Sequence, residues 1–157
     1  MSIKDNYLFP KLDHILQVVV GARQVSLLDG FLGHNQILVH PEDQDKTEFT
    51  TSRGTFKYVK IPFGLMNTSA TFQRAMDLYF VDEKDNFLAI YLDDIIVYSQ
   101  SDEEHLQHLR AIFIKCRKYG ISLNPNKYMF GLEEGKLLGH IISKDGIRID
   151  PKKIVAI

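Results

Sequence analysis

The sequence predicts an α+β domain in which an antiparallel sheet carries helices packed on one face. Strand-like and helix-like segments are interleaved, but the strands come in hairpins rather than in a regular strand–helix–strand repeat. Two segments, 69–80 and 101–119, carry apolar residues at helical spacing. The stretch 88–98, LAIYLDDIIVY, is β-prone on both sides of two adjacent aspartates and therefore predicts a hairpin.

Length and composition are those of one globular domain. The 157 residues are 45% hydrophobic and 25% charged. The formal net charge of -1 gives no global signature of nucleic-acid binding, although a local basic groove remains compatible with it. The lone Cys116 excludes an intramolecular disulfide and indicates a reducing compartment. The sequence shows no signal peptide and no membrane-spanning run, so we expect an intracellular protein that is not secreted and has no membrane partner.

The first third of the chain is predicted to contain one short helix and several strands. Pro10 suits the first turn of a helix that Gly21 ends. A buried strand at 25–28 then leads to Asp29, with Gly30 and Gly33 close behind, so the backbone around this acid is able to approach another group closely. Further strands are predicted at 36–39, 47–51 and 55–61, with a polar connection at 41–46.

The two main helices flank the hairpin. Pro62, Phe63 and Gly64 break the preceding strand, and a helix follows from about Ser69 to Phe80. Ser101 and Glu104 form a capping box that begins the second helix, which Gly120 ends. The apolar stripe of that helix is predicted to contain Leu106, Leu109, Phe113 and Cys116.

The C-terminal part is predicted to be a turn, a hairpin and the start of a helix. A short strand at 121–123 precedes the turn that leads to Lys127. Strands at 137–143 and 147–149 are joined by a turn at 144–146, and a helix opens at Asp150. The sequence shows no repeat, low-complexity tract or linker.

Asp93 and Asp94 are unusual residues for a hairpin turn, because two-residue loops favour Asn-Gly or Asp-Gly. Two like charges about 4 Å apart repel by roughly 4 kcal/mol at an effective dielectric of about 20. A bound divalent cation with oxygen ligands would remove that cost. The alternative is a solvated acidic turn.

A third carboxylate, Asp29, also ends an apolar strand. Three carboxylates at strand ends of one sheet are able to converge on one point. Such a cluster is what two-metal phosphoryl transfer requires, because carboxylates bridge two cations about 3.5–4 Å apart.

The residues around these acids resemble reverse transcriptases, and specifically the Pol polyproteins of gypsy-type long-terminal-repeat retrotransposons. The resemblance covers nearly the whole chain from Asn6, in the family's order and spacing. The blocks that carry it are SLLDGFLGHNQI (26–37), PFGLMNTSATFQ (62–73), YLDDIIVYS (91–99), EEHLQHLR (103–110), LNPNK (123–127), LGHIIS (138–143) and GIRIDPKKI (146–154).

The resemblance implies a polymerase palm with a metal-binding triad of Asp29, Asp93 and Asp94 for two Mg²⁺ ions, with Mn²⁺ as a substitute. The backbone at Gly30 would help to hold the metal that carries the nucleotide triphosphate. Lys127 matches the basic residue near the triphosphate, a candidate proton donor to the leaving pyrophosphate. The implied reaction is in-line attack of a primer 3′-hydroxyl on the α-phosphorus of a dNTP.

The resemblance also implies residues that contact the nucleotide, template and primer. Phe63 and Gly64 match the segment against the incoming nucleotide and template base. Gln73 and Arg74 begin the part of the next helix nearer the template strand, and Tyr91 belongs to the catalytic hairpin. The segment Leu138, Gly139 and His140 matches the hairpin that grips the primer end.

Some positions depart from the family pattern, and His34 matters most. The family usually has Tyr or Phe there, and that ring blocks a ribose 2′-hydroxyl. Imidazole is smaller and able to hydrogen-bond a 2′-hydroxyl, so we expect weaker exclusion of ribonucleotides. Leu32, Ser69, Glu48 and Tyr128 are further departures.

By the resemblance, residues 1–157 are a partial reverse transcriptase domain: the palm with the end of the fingers, without thumb, connection or ribonuclease H. The implied partners are an RNA or DNA template with its primer, dNTPs, and the ribonuclease H, integrase and protease of a Pol polyprotein. The implied location is cytoplasmic, in a virus-like particle, or nuclear. The alternative is a catalytically inactive retroelement remnant that folds and binds nucleic acid.

Other functional interpretations of this sequence have simpler or competing alternatives. A receiver-like phosphotransfer module would need a parallel strand–helix–strand repeat, which the hairpins contradict. His105 and His108 have zinc-ligand spacing, but we interpret them as a solvated helix face because no Cys or third His lies near in sequence. Four basic residues are either a template-backbone track or solvated strand faces, namely Lys46, Arg53, Lys57 and Lys60.

Overall fold

The computed structural model describes residues 5–30, 36–62, 64–65, 67–137, 139–143 and 145–151. In chain order the elements are α1 (Leu12–Val19), β1 (Gln24–Asp29), α2 (Pro41–Gln44), β2 (Phe49–Thr51), β3 (Gly54–Phe56), α3 (Thr68–Tyr79), β4 (Leu88–Tyr91), β5 (Asp94–Ser99), α4 (Asp102–Tyr119), β6 (Met129–Leu132), β7 (Glu134–Leu137), β8 (His140–Ser143) and β9 (Gly146–Ile149). Short 3-10 turns lie at Asp45–Thr47 and Pro125–Lys127.

The strands form three antiparallel sheets. The central sheet has the order β4-β5-β1-β6, so the predicted aspartate hairpin β4–β5 lies beside the strand that ends at Asp29. β2 and β3 form a separate hairpin, and β7, β8 and β9 form a three-stranded sheet. The α+β class and the antiparallel pairing that the sequence predicts are confirmed.

Alternating residues of β5 face opposite sides of the central sheet, as the period of two requires. Ile95 and Val97 pack with α3 and α4, which are the helices on one face that the sequence predicts. Phe80 and Met76 are almost completely buried in this layer. Each such side chain stabilises the fold by roughly 1.5–3 kcal/mol.

The opposite face of the sheet is also covered. Ile96 and Tyr98 of β5 pack against α1 there, together with Leu137 and Ile142 of the β7–β8 hairpin. The short helix α1 therefore closes the second face, and the three-stranded sheet is fixed to the central sheet through this apolar cluster.

Helix α4 has the predicted ends but buries a different face. Ser101 accepts a hydrogen bond from Glu104 N, and Gly120 is the left-handed C-cap. Leu106 is 69% exposed, so the predicted stripe through Leu106 and Phe113 is wrong. The buried residues are His105, Leu109, Ile112 and Cys116. The predicted and the observed buried faces of α4 share Leu109 and Cys116. The observed face is favoured because polar side chains beneath the helix bind His105.

Several strand predictions need correction: the segment 121–123 makes only the bridge of Leu123 with Gly30, and the strand predicted at 137–143 begins at His140 as β8. The segment 36–39 makes one bridge, Leu38 with Lys60, and is not a strand; Ile37 packs on the core and Val39 is buried, but Leu38 between them is 66% exposed. β3 ends at Phe56 rather than continuing to 61. Strand β6 was not predicted, because residues 129–131 are exposed on both faces and include Gly131, so the edge strand lacks an apolar alternation.

Within the described residues no helix is long and apolar enough to cross a membrane. Cys116 is a buried free thiol. The predicted C-terminal helix lies almost wholly outside the described residues, which end at Pro151.

Candidate active site

Asp29 and Asp94 lie directly opposite each other on the adjacent strands β1 and β5. The alternation that buries Leu28 against α3 and α4 turns the next side chain, Asp29, toward the other face of the sheet. Gly30 N donates to Asp93 O at 2.7 Å, which holds the end of β1 against the hairpin turn. The three predicted acids are thus collected at one end of the sheet.

Gly30 permits this close approach. A Cβ atom built at Gly30 would lie 3.4 Å from Asp93 O and 3.5 Å from the Phe72 ring. The close approach of the backbone that Gly30 and Gly33 predicted is therefore, at Gly30, an approach to the turn between β4 and β5. The Gly30 amide is committed to Asp93, so it is not available to a phosphate.

The turn of the hairpin is strained. Leu92 has φ +54°, a left-handed conformation that costs a non-glycine residue about 1–2 kcal/mol. Gln73 holds the turn from α3: its Oε1 accepts from Leu92 N at 2.8 Å, and its Nε2 donates to Ile90 O at 3.3 Å. The packed helix beneath the hairpin thus compensates the strain at Leu92.

Gln73 and Arg74, which the resemblance places near the template strand, make contacts within the protein. Gln73 is fully buried, so its side chain is out of reach of a template strand, and we replace that assignment with a role in holding the turn. Arg74 pairs with Asp5 at 2.7 Å and lies over the Tyr7 ring. These contacts attach the N-terminal segment to α3.

The electrostatics of the acids call for a cation. Burial, followed by the charges of Asp29 and Asp93, raises the pKa of Asp94, whereas Lys127 opposes this shift. Lys127 Nζ lies 3.1 Å from Asp29 Oδ2, and Asn124 N donates to Asp29 O, which fixes the turn that carries the lysine. Lys127 therefore supplies part of the positive charge that this acidic site requires.

The donor set fits a divalent metal that prefers oxygen ligands. Within the described part of the chain, no three His, Cys, Asp or Glu side chains are arranged to hold a metal by themselves. Asp29 and Asp94 together would therefore need further oxygen ligands, and nucleotide phosphates are groups of that kind.

The acid pair opens into a cleft of about 410 Å³. Its lining includes Asp29, Asp94, Asn126 and Lys127, and Lys136 is a second lysine there. Lys136 also pairs with Asp150 at 3.3 Å. The sequence reasoning did not identify Lys136, because β7, on which it lies, was not predicted.

The remaining described residues that were predicted to contact nucleotide, template or primer lie on the two sides of the β4–β5 hairpin. Gly64 lines a second cavity of about 220 Å³ together with Leu92 and Asp93. Gly139 has φ +83° beside the β7–β8 hairpin, and the His140 Nδ1 atom is buried without a hydrogen-bond partner among the described residues. Tyr91 pairs with Asp94 and is partly buried against the α1 face.

Three predicted residues lie outside the described part of the chain, namely His34, Phe63 and Leu138. Their roles remain as the sequence predicts them.

A buried polar network behind the acids was missed. Gly131 N donates to Ser26 Oγ at 3.1 Å, and Ser26 Oγ is also hydrogen-bonded to His105 Nε2 at 2.6 Å. Ser99 Oγ is hydrogen-bonded to His105 Nδ1 at 2.9 Å and to His108 Nδ1 at 2.7 Å.

This network shows that the prediction of a solvated histidine face is wrong for His105, which is 4% exposed. It ties both acid-bearing strands to α4. The serines within otherwise apolar strands were the only signal in the sequence for such a network.

Two of the four basic residues in and around the β2–β3 hairpin are paired locally. Lys46 pairs with Asp43 at 2.5 Å, and Lys57 pairs with Asp45 at 2.7 Å. These carboxylates neutralise much of the charge that a template-backbone track would need, which favours the alternative of solvated faces at Lys46 and Lys57.

Comparison with known proteins agrees with this geometry. Residues 2–142 match the family described as reverse transcriptase (RNA-dependent DNA polymerase). The chain is 36% identical over 157 residues to the retrovirus-related Pol polyprotein from transposon 297 of Drosophila melanogaster, covering 100% of this chain and 15% of that polyprotein. It is 33% identical over 157 residues to the corresponding polyprotein from transposon gypsy of the same species, covering 99% of this chain and 15% of that polyprotein.

Solved structures show the same fold. The foamy viral protease-reverse transcriptase in complex with RNA/DNA hybrid has a TM-score of 0.86 at 22% identity, over 99% of this chain and 21% of that chain. A dRH form in complex with ds DNA has a TM-score of 0.89 at 22% identity, over 99% of this chain and 28% of that chain. The chain thus spans a small part of each relative, and it belongs to the reverse transcriptase (RNA-dependent DNA polymerase) family.

Proposed function

We propose that this chain carries the polymerase active site of an RNA-directed DNA polymerase that adds deoxynucleotides to a primer. The observation that supports the proposal most directly is the pairing of Asp29 with Asp94 across β1 and β5, with Asp93 in the adjoining turn and Lys127 beside Asp29. A partly buried like-charge pair facing an open cleft is costly unless a cation is bound there.

Enzymes of this family generally use divalent metal ions. We propose that Asp29, Asp93 and Asp94 hold two Mg²⁺ ions, with Mn²⁺ as a substitute, and that the triphosphate completes the ligand set. Bound at these acids, such ions would lower the pKa of the primer 3′-hydroxyl and offset the charge that develops on the phosphates.

The protein's own residues position the reacting groups. The 3′-oxygen of the primer forms a bond to the α-phosphorus, and the bond from that phosphorus to the pyrophosphate oxygen breaks. Lys127, on the Asp29 side of the cleft, is suited to give a proton or a positive charge to the leaving pyrophosphate. Gln73 keeps the Leu92–Asp93 turn in its strained form, so the acids are placed before substrate arrives.

The proposed partners are an RNA or DNA template with its primer, dNTPs, and the other enzymes of a Pol polyprotein. The foamy viral relatives were solved with an RNA/DNA hybrid and with ds DNA, which supports duplex nucleic acid as a partner. The relatives are Pol polyproteins, which supports a covalent link to further domains. We accordingly propose an intracellular location, in a cytoplasmic virus-like particle or the nucleus.

Primer extension on an RNA template tests the proposal. The purified chain with Mg²⁺ should extend a DNA primer, and Asp93→Asn and Asp94→Asn should each abolish extension. Asp145→Asn is the matched control, because Asp145 lies on the exposed turn between β8 and β9, away from the cleft.

The controls decide between the active enzyme and the remnant. Extension that survives Asp94→Asn would come from a contaminant. A folded wild-type chain that binds primer-template without extending it would favour the inactive remnant over the polymerase.

A further inference from the structure

We propose that Asp77 is a positioning residue for the catalytic turn, because it orients the Gln73 amide that holds Leu92. This inference rests on the proposed function of the same site. It adds a residue that lies outside the cleft and touches none of the three acids.

The Gln73 side chain has a distinct partner on each side of its amide. The oxygen accepts from Leu92 N at 2.8 Å, and the nitrogen donates to Asp77 Oδ1 and to Ile90 O, each at 3.3 Å. Because Gln73 is fully buried, water cannot replace a lost partner. A flipped amide would place its NH₂ group against the Leu92 N–H and remove the support of the turn.

Asp77 makes the correct orientation the only favourable one. It lies one helical turn after Gln73 on α3, where residues four apart are neighbours. As a carboxylate it accepts hydrogen bonds and donates none, so it pairs with the nitrogen of Gln73 and repels the oxygen. The side chain of Asp77 is only 13% exposed, which limits screening of this preference by solvent.

The Asp77 carboxylate is itself held from two directions. Lys84 Nζ lies 2.7 Å from Oδ1, and the Tyr7 hydroxyl donates to Oδ2 at 2.5 Å. Burial and the Asp77 hydrogen bond raise the pKa of Tyr7 to about 12, so its hydroxyl keeps the proton that it donates. Residues 5–7 are thereby linked through Asp77 and Gln73 to the turn between Tyr91 and Asp94.

Amide hydrogen exchange of Leu92, followed by NMR on the full chain, tests the inference without requiring activity. Asp77→Leu should accelerate exchange at Leu92 roughly tenfold, the order expected for losing a hydrogen bond to a charged group. Exchange at Ile96 and Val97, in the middle of the same hairpin, should stay within about twofold of wild type. Asp77→Asn, which keeps an acceptor oxygen, should restore most of the protection.

Four further variants complete the design. Gln73→Leu should accelerate Leu92 exchange at least as much as Asp77→Leu, and the double variant should add nothing, because both changes remove one connection. Tyr7→Phe removes a single hydroxyl at a partly exposed position and should accelerate exchange at Leu92 by a smaller factor. It tests the inference in the case in which Asp77→Leu does not fold. Asp43→Leu breaks an exposed lysine pair far from Gln73 and should leave Leu92 unchanged.

The outcomes separate the inference from the proposed function. Unchanged Leu92 exchange in Asp77→Leu, or in Tyr7→Phe where the former does not fold, would overturn the inference. An equal rise at Leu92, Ile96 and Val97 would also overturn it, because it would show general loosening. If wild type polymerises, Asp77→Leu should lower kcat with little change in the KM for dNTP; an inactive wild type would overturn the proposed function and leave the exchange test intact.

Discussion

Lys127 Nζ lies 3.1 Å from Asp29 Oδ2, so the acid that ends β1 already has a cation beside it before any metal binds. Because the Lys127 side chain is 64% exposed, the ion pair itself contributes little to stability. The ion pair matters instead for metal binding, because the Lys127 ammonium and a divalent ion would compete for the same Asp29 carboxylate.

Replacing Lys127 with Met should therefore have opposite effects on metal binding and on turnover. Mn²⁺ should bind about threefold more tightly, because a competing charge is lost, whereas primer extension should slow by roughly 10²-fold or more if Lys127 assists the leaving group. Calorimetric titration with Mn²⁺ and single-turnover extension measure the two effects. Weaker Mn²⁺ binding by Lys127→Met would contradict the competition.

Gln73→Leu should destabilise the chain by about 1–3 kcal/mol, since it leaves the Leu92 amide and the Ile90 carbonyl without their side-chain partner. Urea unfolding followed by circular dichroism gives the change in free energy. A loss below about 0.5 kcal/mol would show that water or a backbone shift replaces the amide.

Acidification should destabilise the protein through His105. Burial, followed by the nearby charge of His108, lowers the pKa of His105, while Asp102 opposes the shift. The stability that depends on neutral His105 is full above the ordinary pKa of 6.5 and is lost as the pH falls through the lower pKa of the folded state. In the protonated ring both nitrogens donate, so Ser26 Oγ would have to accept from His105 Nε2 as well as from Gly131 N.

Urea unfolding of wild type and His105→Gln between pH 7.5 and pH 5 measures this dependence. Wild type should lose stability toward pH 5, and His105→Gln should be less stable at pH 7.5 but respond less to pH. Asp94 acts with the opposite sign, because a raised folded-state pKa adds stability below 3.8 that is lost as the pH rises through the raised value. Parallel pH profiles for the two proteins would rule out His105 as the cause.

The buried face of α4 is testable by paired truncations. Leu109→Ala should cost about 2–4 kcal/mol because Leu109 is 8% exposed, whereas Leu106→Ala should change stability by less than about 0.5 kcal/mol at 69% exposure. Equal losses of stability at the two positions would favour the apolar stripe that the sequence predicts for this helix.

His34→Tyr should strengthen the exclusion of ribonucleotides, because a phenol ring fills space that an imidazole leaves for the 2′-hydroxyl. His34 lies outside the described residues, so this prediction depends on the sequence alone. Primer extension with dNTPs and rNTPs gives the ratio of incorporation. An unchanged ratio would show that another group excludes the 2′-hydroxyl.

The elements with strong local signals were predictable. The Ser101 cap and Gly120 define α4, and the apolar runs on both sides of Asp93 define the hairpin, because caps and alternation are encoded by neighbouring residues. Strand β6 and the bridge at Leu38 were mispredicted, since short edge pairings depend on a partner strand distant in sequence. The buried face of α4 was misassigned because polar His105 is accommodated only by Ser26 and Ser99 from other strands.

By itself, the sequence predicted the fold class and the three candidate acids, and its motif blocks carried the resemblance to the family. Only the tertiary structure decided what surrounds those acids: the pairing of Asp29 with Asp94, the lysine beside Asp29, and the buried Gln73 amide beneath Leu92. The physical reason is distance along the chain. Local propensities set each strand end, whereas the charges and hydrogen bonds of the site join residues up to 98 positions apart, and packing alone brings them together.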